Sequence, residues 1–131
     1  MTNFPIHSIE TAPGASRPAL EALNAAFGFI PNIAGAMATS PVLIGSLTDL
    51  FGRVHGGSFN EAEIQILLLT NAVTNNAEWA VAFHSYLAIA QGVGVEAVTS
   101  IRDGALPKDA RYAALSKLTL RLSRSAVVSA S

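Results

Sequence analysis

The segment that decides the fold is residues 75–84, which read Asn-Asn-Ala-Glu-Trp-Ala-Val-Ala-Phe-His. The two asparagines favour a turn. Positions 80, 81 and 84 follow position 77 by three, four and seven residues, so all four share one face of an α-helix. The segment therefore predicts a turn followed by a helix that begins near Glu78 and ends at Gly92.

Helical periodicity continues on both sides of this segment, between residues that start and stop helices. Ser16, Ser40 and Asn60 each precede a periodic apolar run and are typical helix-capping residues. Glu63 stands three residues after Asn60, which is the spacing of a capping box. No run alternates convincingly with the period of two that a half-buried strand shows. The sequence predicts an all-α bundle of about six to seven helices, with segments at residues 16–28, 40–56, 60–74, 78–91, 95–102 and 109–122.

The composition limits the kind of protein that this chain can be. Of its 131 residues, 50% are hydrophobic and 13% are charged, and the net charge is −1. The length fits one core, so we predict a single domain over residues 1–131. The near-neutral charge argues against nucleic acid as a partner. Because so few charged groups are available to cover the apolar surface, we expect a homo-oligomer.

One uncharged run has the length of a membrane span. Residues 22–48 carry no charge over 27 positions. Pro31, Pro41, Gly28 and Gly35 would break a spanning helix, so we predict two short buried helices joined by a turn, and no membrane association. Residues 1–8 have neither a basic start nor a long apolar run, so no secretory signal is expected and the predicted location is the cytoplasm.

Several short segments resemble a known family. Residues 10–13 read Glu-Thr-Ala-Pro, residues 27–32 read Phe-Gly-Phe-Ile-Pro-Asn, and residues 37–41 read Met-Ala-Thr-Ser-Pro. Gly92-Val93 and the Ile-Arg-Asp-Gly at residues 101–104 follow the helix that residues 75–84 begin. Over nearly the whole chain, this layout resembles the peroxidase-related members of the AhpD-like branch of the carboxymuconolactone decarboxylase family. The resemblance implies an AhpD-like helical bundle that assembles as a trimer or hexamer. Relatives extend further at the carboxyl end, so we expect residues 123–131 to be a shortened terminus.

The resemblance also assigns redox chemistry to the helix after Asn76. The family pattern there is cysteine, two residues, cysteine, three residues, histidine. The cysteine positions fall on Ala77 and Ala80, the histidine is His84, and the chain contains no cysteine. In the family, a thiolate attacks the peroxide oxygen and the second sulfur closes a disulfide. Because an alanine methyl has no lone pair and no proton to give, we predict no thiol peroxidase activity in this chain.

A further departure from the family concerns Gln65. Many relatives have a glutamate twelve residues before the first cysteine, where it joins the histidine in a proton relay. Counting back from Ala77, that position is Gln65. An amide cannot accept and return a proton near neutral pH, although it can orient an imidazole. Alanines at 77 and 80 alone are compatible with deliberate substitution of an active enzyme, whereas the additional glutamine favours natural divergence.

His84 remains the candidate catalytic residue. It is either a packing histidine on an apolar helix face or a side chain that lines a site for a small hydrophobic ligand or peroxide. His7 and His55 have no metal-ligand spacing to it, so we predict neither a metal nor a cofactor. Trp79 and Phe83 are expected to be core or subunit-interface aromatics rather than substrate contacts.

Three functions stay open from the sequence. The first is an AhpD-like antioxidant protein that has lost its hydroperoxide reductase activity with its cysteines. The second is a non-redox binding or scaffold member that keeps the fold and the oligomer. The third is a cysteine-independent decarboxylase or lactone-type enzyme that uses His84 as acid or base. The third is ranked last, because Ala80 stands where those decarboxylases have a glutamate four residues before the histidine.

Overall fold

The computed structural model describes the backbone of residues 4–128 and the side chains of residues 4–125. This part of the chain contains seven α-helices, a short 3₁₀ helix at Gly14–Ser16 and no strand. The helices are α1 Arg17–Phe27, α2 Asn32–Met37, α3 Pro41–His55, α4 Glu61–Thr74, α5 Glu78–Ala90, α6 Val95–Arg102 and α7 Ala110–Val128. The all-α prediction is confirmed for the described residues, and each helix among them is too short or too polar to cross a membrane.

Two expectations extend beyond the described residues. The shortened terminus expected at residues 123–131 includes residues 129–131, which lie outside them, while α7 continues as far as Val128. The segment at residues 1–8, expected to hold no secretory signal, includes residues 1–3, which also lie outside the described part.

Local capping residues set the starts of two helices as the sequence predicts. The Ser40 hydroxyl accepts a hydrogen bond from the Leu43 amide at 3.3 Å at the start of α3. At the start of α4, the Asn60 side chain accepts from the Glu63 amide at 2.9 Å, and the Glu63 carboxylate accepts from the Asn60 amide at 3.1 Å. These two bonds form the predicted capping box, which satisfies amides that would otherwise lack partners.

The chain divides into two compact units, with the boundary between Gly56 and Gly57. In the first unit, α1 and α2 both pack against α3. Leu20 and Ile44 are fully buried in its core. Burial of one such side chain contributes about 1.5–3 kcal/mol, so these contacts stabilise this unit.

The Ser16 hydroxyl does not cap α1, although the sequence predicts it. Ser16 occupies the N-cap position, but it closes the 3₁₀ helix and has helical backbone angles. Its buried hydroxyl instead donates to the Ala38 carbonyl at 2.7 Å, which links this turn to the end of α2. The uncharged run at residues 22–48 is divided among the end of α1, all of α2 and the start of α3, because Pro31 and Pro41 each stand at a helix start.

The amino-terminal segment of the first unit lies directly against α2 at Gly35. The His7 amide donates to the Gly35 carbonyl at 3.1 Å. A Cβ atom on Gly35 would lie 2.8 Å from the His7 carbonyl oxygen and 2.8 Å from the Ile6 Cγ2 atom. The approach of these two backbones therefore depends on glycine at position 35.

In the second unit, α4 packs against α5, α6 and α7. Ile66, Leu69 and Ala88 are fully buried at the centre of its core. Two polar contacts also join α4 to α7. The Arg111 Nε atom donates to the Glu63 carboxylate at 2.7 Å, and the hydroxyls of Thr70 and Ser116 lie 3.0 Å apart. These contacts hold α4, which carries Gln65, against the rest of the second unit.

Candidate functional site

Gln65 lies on α4, and Ala80 and His84 lie on α5, while Ala77 is the N-cap residue just before α5. The two helices pack against each other in the second unit. Gln65 is in the second turn of α4, just after the capping box that fixes the start of that helix. The turn between the two helices is tight, because Asn76 has a left-handed backbone with φ of 52°. This conformation is tolerated by asparagine better than by most residues. The turn brings α5 back along α4.

The structure brings Gln65 and His84 into contact across the two helices. The His84 Nδ1 atom lies 3.0 Å from the Gln65 Oε1 atom. The Gln65 side chain is buried, with 4% of the residue exposed, and His84 is half-buried. An amide oxygen only accepts hydrogen bonds, so in this contact the imidazole Nδ1 is the donor. The pair is therefore a specific hydrogen bond between positions that are 19 residues apart in the chain.

Burial favours the neutral form of His84. Desolvation of the half-buried ring lowers the pKa of His84 below its usual value of 6.5. No carboxylate or cation contributes to this change in pKa. We therefore expect a neutral imidazole at neutral pH, held by an amide rather than by a charged partner.

The two alanines at the family cysteine positions are at the start of α5. Ala77 is exposed at the N-cap position, and its carbonyl accepts from the Val81 amide at 2.9 Å. Ala80 is half-buried, one helical turn before His84. A thiol at either position would benefit from the positive end of the α5 dipole, which lowers a thiol pKa. The methyl groups present here have no redox chemistry.

Ser85 is a site neighbour that the sequence does not single out. It follows His84 on α5, is only 6% exposed, and its Oγ atom has no hydrogen-bond partner among the described residues. A serine inside a helix commonly donates to the carbonyl four residues earlier, as Ser100 does to Glu96 at 2.9 Å. Nothing in the sequence distinguishes Ser85 from such a serine, so its unsatisfied hydroxyl is visible only in the structure.

Aromatic rings extend from the site along the outer face of α5. The Trp79 and Phe83 rings stack with centroids 4.9 Å apart, and the Phe83 ring meets the His84 ring edge-on at 5.4 Å. Trp79 is 50% exposed, so it is not a core residue of this chain. The sequence predicts either a core or a subunit-interface role for Trp79, and its exposure leaves the subunit-interface role.

The other two histidines belong to the first unit, whereas Gln65 and His84 belong to the second. His7 lies beside α2, and His55 ends α3 with its ring 6.2 Å from that of Phe51. Among the described residues, no three histidine, aspartate or glutamate side chains are grouped to hold a metal ion. A cavity of about 540 Å³ lies between the starts of α6 and α7, and one of about 350 Å³ lies beside Asn76 and Arg102. His84 lines neither of them.

Comparison with the models of known protein families finds none that matches this chain. Comparison with curated proteins likewise finds no match. The relation to the AhpD-like branch therefore depends on the resemblance of residues 10–13, 27–32, 37–41 and 75–84.

Proposed function

We propose that this chain is an AhpD-like protein that does not reduce hydroperoxides and that acts at its His84 site by hydrogen bonding. The observation that supports this proposal is the contact of 3.0 Å between His84 Nδ1 and Gln65 Oε1. The resemblance aligns these two residues with the histidine and the glutamate of the family relay. The resemblance is drawn from the sequence alone, so the distance between the two side chains is separate support for it.

The chemistry of the site supports the loss of redox activity. Reduction of a hydroperoxide by a dithiol converts two thiols and one peroxide into a disulfide, an alcohol and water. The chain has no cysteine to supply either thiol. Gln65 cannot replace a glutamate as a proton carrier near neutral pH. What remains is a neutral imidazole with an amide partner, which binds through hydrogen bonds.

The proposal is tested by hydroperoxide consumption with a dithiol as electron donor. The unmodified chain is compared with the triple variant Ala77→Cys, Ala80→Cys and Gln65→Glu. We expect no consumption above the rate without protein for the unmodified chain, and dithiol-dependent turnover for the triple variant. Catalytic consumption by the unmodified chain would refute the loss of activity.

A matched control places the same cysteine spacing elsewhere on the second unit. The variant Ala110→Cys with Ala113→Cys has two thiols three residues apart at the start of α7, on a different helix from His84. If this control consumes hydroperoxide as fast as the triple variant, the activity belongs to any exposed dithiol. The alignment of Ala77 and Ala80 with the family cysteines would then lose its support.

We propose in addition that the protein is a homo-oligomer, as the resemblance implies. Support comes from α5, whose outer face leaves large apolar side chains in solvent. Trp79 is 50%, Tyr86 65% and Ile89 45% exposed. A stripe of this kind on one helix is typical of a subunit contact.

A further inference from the structure

The proton on a neutral histidine is on one of its two ring nitrogens, and the hydrogen bonds of the ring decide which. A neutral histidine without a fixed partner populates both tautomers. The choice matters for function, because the nitrogen without a proton is a base and a hydrogen-bond acceptor. The nitrogen with the proton can only donate.

In this protein, the partner of His84 is fixed. Gln65 is 4% exposed on α4, directly after the turn that the Asn60 and Glu63 capping box closes. Its Oε1 atom lies 3.0 Å from His84 Nδ1. Because an amide oxygen has lone pairs and no proton, the hydrogen atom of this bond belongs to Nδ1. In a neutral ring, Nε2 then has a free lone pair.

Two further observations agree with this assignment. Burial lowers the pKa of His84 without a contribution from any charged group, which favours the neutral ring. The nearest ring is that of Phe83, which approaches edge-on at 5.4 Å and offers no competing acceptor for Nδ1.

We propose that Gln65 is a positioning residue that fixes His84 as the Nδ1–H tautomer, so that Nε2 accepts a hydrogen bond from the ligand. The inference rests on the proposed function, because it names the ligand class of the same non-redox site. A lone pair on Nε2 attracts a neutral hydroxyl, as in an alcohol, a phenol or a hydroperoxide. It repels a carboxylate or a phosphate. The apolar Phe83 ring, which meets the His84 ring edge-on, favours a ligand with a hydrophobic body next to that hydroxyl.

The tautomer is tested by nitrogen NMR of the ¹⁵N-labelled protein, at a pH above the titration of His84. The two ring nitrogens of a neutral histidine have well-separated resonances according to whether they hold the proton. We expect Nδ1 of His84 to be protonated and Nε2 to be unprotonated. His7, whose ring makes no hydrogen bond to the described residues, serves as the control and should show averaged resonances. A protonated Nε2 on His84 would overturn the proposal.

Variants of Gln65 separate positioning from packing. Leucine has a volume similar to that of glutamine and no hydrogen-bond acceptor. In Gln65→Leu, His84 should therefore lose its preference for the Nδ1–H tautomer and give averaged resonances. In Gln65→Glu, the carboxylate still accepts from Nδ1, so the tautomer should be retained. An unchanged His84 spectrum in Gln65→Leu would overturn the role of Gln65. Should Gln65→Leu fail to fold, the spectra of the unmodified protein and of Gln65→Glu still decide the tautomer.

The ligand class is tested with three probes of similar shape. Phenol has a neutral hydroxyl, anisole has the same ring without that hydroxyl, and benzoate is an anion. We expect phenol to give a saturable shift of the His84 Nε2 resonance and the other two to leave it unchanged. No response to phenol, or an equal response to anisole or benzoate, would overturn the ligand class. Neither NMR readout depends on turnover, so failure of the peroxidase prediction and failure of this inference are distinguishable.

Discussion

At the scale of single residues, the site depends on which polar groups are satisfied and which are not. His84 has a partner that accepts a hydrogen bond, whereas Ser85 beside it has none among the described residues. A buried hydroxyl without a partner costs about 1–3 kcal/mol of stability. The hydrogen bond to Gln65 therefore fixes the His84 imidazole, whereas the Ser85 hydroxyl, unpaired among the described residues, lowers stability at the next position of the same helix.

The half-buried imidazole predicts a pH dependence of stability. The pKa of His84 is lowered in the folded protein by burial, so the unfolded chain binds more protons below about pH 6.5. Its contribution to stability is therefore complete above that pH, and it decreases as the pH falls toward the folded pKa. We measure the free energy of unfolding with urea between about pH 5 and pH 8. As the pH is lowered, this free energy should decrease less steeply in His84→Asn than in the unmodified protein. Equal slopes in the two proteins would contradict the neutral buried ring.

The unsatisfied hydroxyl of Ser85 predicts a stabilising substitution. Ser85→Ala removes a buried polar group that has no partner, so the free energy of unfolding should rise by about 1 kcal/mol. Ser116→Ala is the matched control, because that serine is also buried but its hydroxyl binds Thr70. The control should lower stability by about 1 kcal/mol. A loss of stability in Ser85→Ala would show that the hydroxyl has a partner in solution.

At the scale of helices and turns, local signals explain most of what the sequence predicts. Asn60 with Glu63, Ser40 before Pro41, and Gly92 act within one helical turn, so the bounds of α3, α4 and α5 follow from neighbouring residues. The Ser16 hydroxyl was predicted wrongly because its acceptor, the Ala38 carbonyl, is 22 residues away. The sequence also does not mark α2 as a separate helix, because no capping side chain stands at its start after Pro31.

The candidate site was predictable only in part, for a related reason. The spacing of Ala77, Ala80 and His84 on one helix follows from periodicity. The approach of Gln65 to that helix was expected from the resemblance alone, because no local rule joins residues on two helices. The missing partner of Ser85 depends on the packing of the whole second unit and had no signal in the sequence.

The close approach at Gly35 predicts a destabilising substitution in the first unit. A methyl group there would overlap the His7 carbonyl oxygen and Ile6, so the segment must move away from α2. We expect Gly35→Ala to lower the free energy of unfolding by about 1–3 kcal/mol. Gly45→Ala in α3 is the control, because nothing lies within 4 Å of the added methyl. Alanine favours a helix, so the control should be neutral or slightly stabilising. Equal effects of the two substitutions would contradict the close approach.

At the scale of the whole molecule, the low content of charged residues and the exposed apolar side chains of α5 favour self-association. Only 13% of the residues are charged, and the outer face of α5 exposes Trp79, Tyr86 and Ile89. An isolated subunit would leave these side chains in water. Contact with further copies of the chain would bury them and would place the new interface beside His84.

This surface predicts the outcome of a mass measurement. Light scattering coupled to size-exclusion chromatography should give the mass of a trimer or hexamer of the 13.6 kDa chain. Tyr86→Lys adds a charge to the exposed face of α5 and should shift the mass toward that of smaller species. Glu96→Lys, which changes an exposed charge on α6, should leave the mass unchanged. A monomeric mass for the unmodified chain would contradict the prediction.

The central claim is that residues 65, 77, 80 and 84 occupy the place of a dithiol redox centre from which the sulfur has been lost. The most direct test is the rate of hydroperoxide consumption when cysteines are introduced at 77 and 80 with glutamate at 65. We expect no activity in the unmodified chain and dithiol-dependent turnover in the triple variant, faster than in the variant with cysteines at 110 and 113. Turnover by the unmodified chain, or a triple variant no faster than that control, would contradict it.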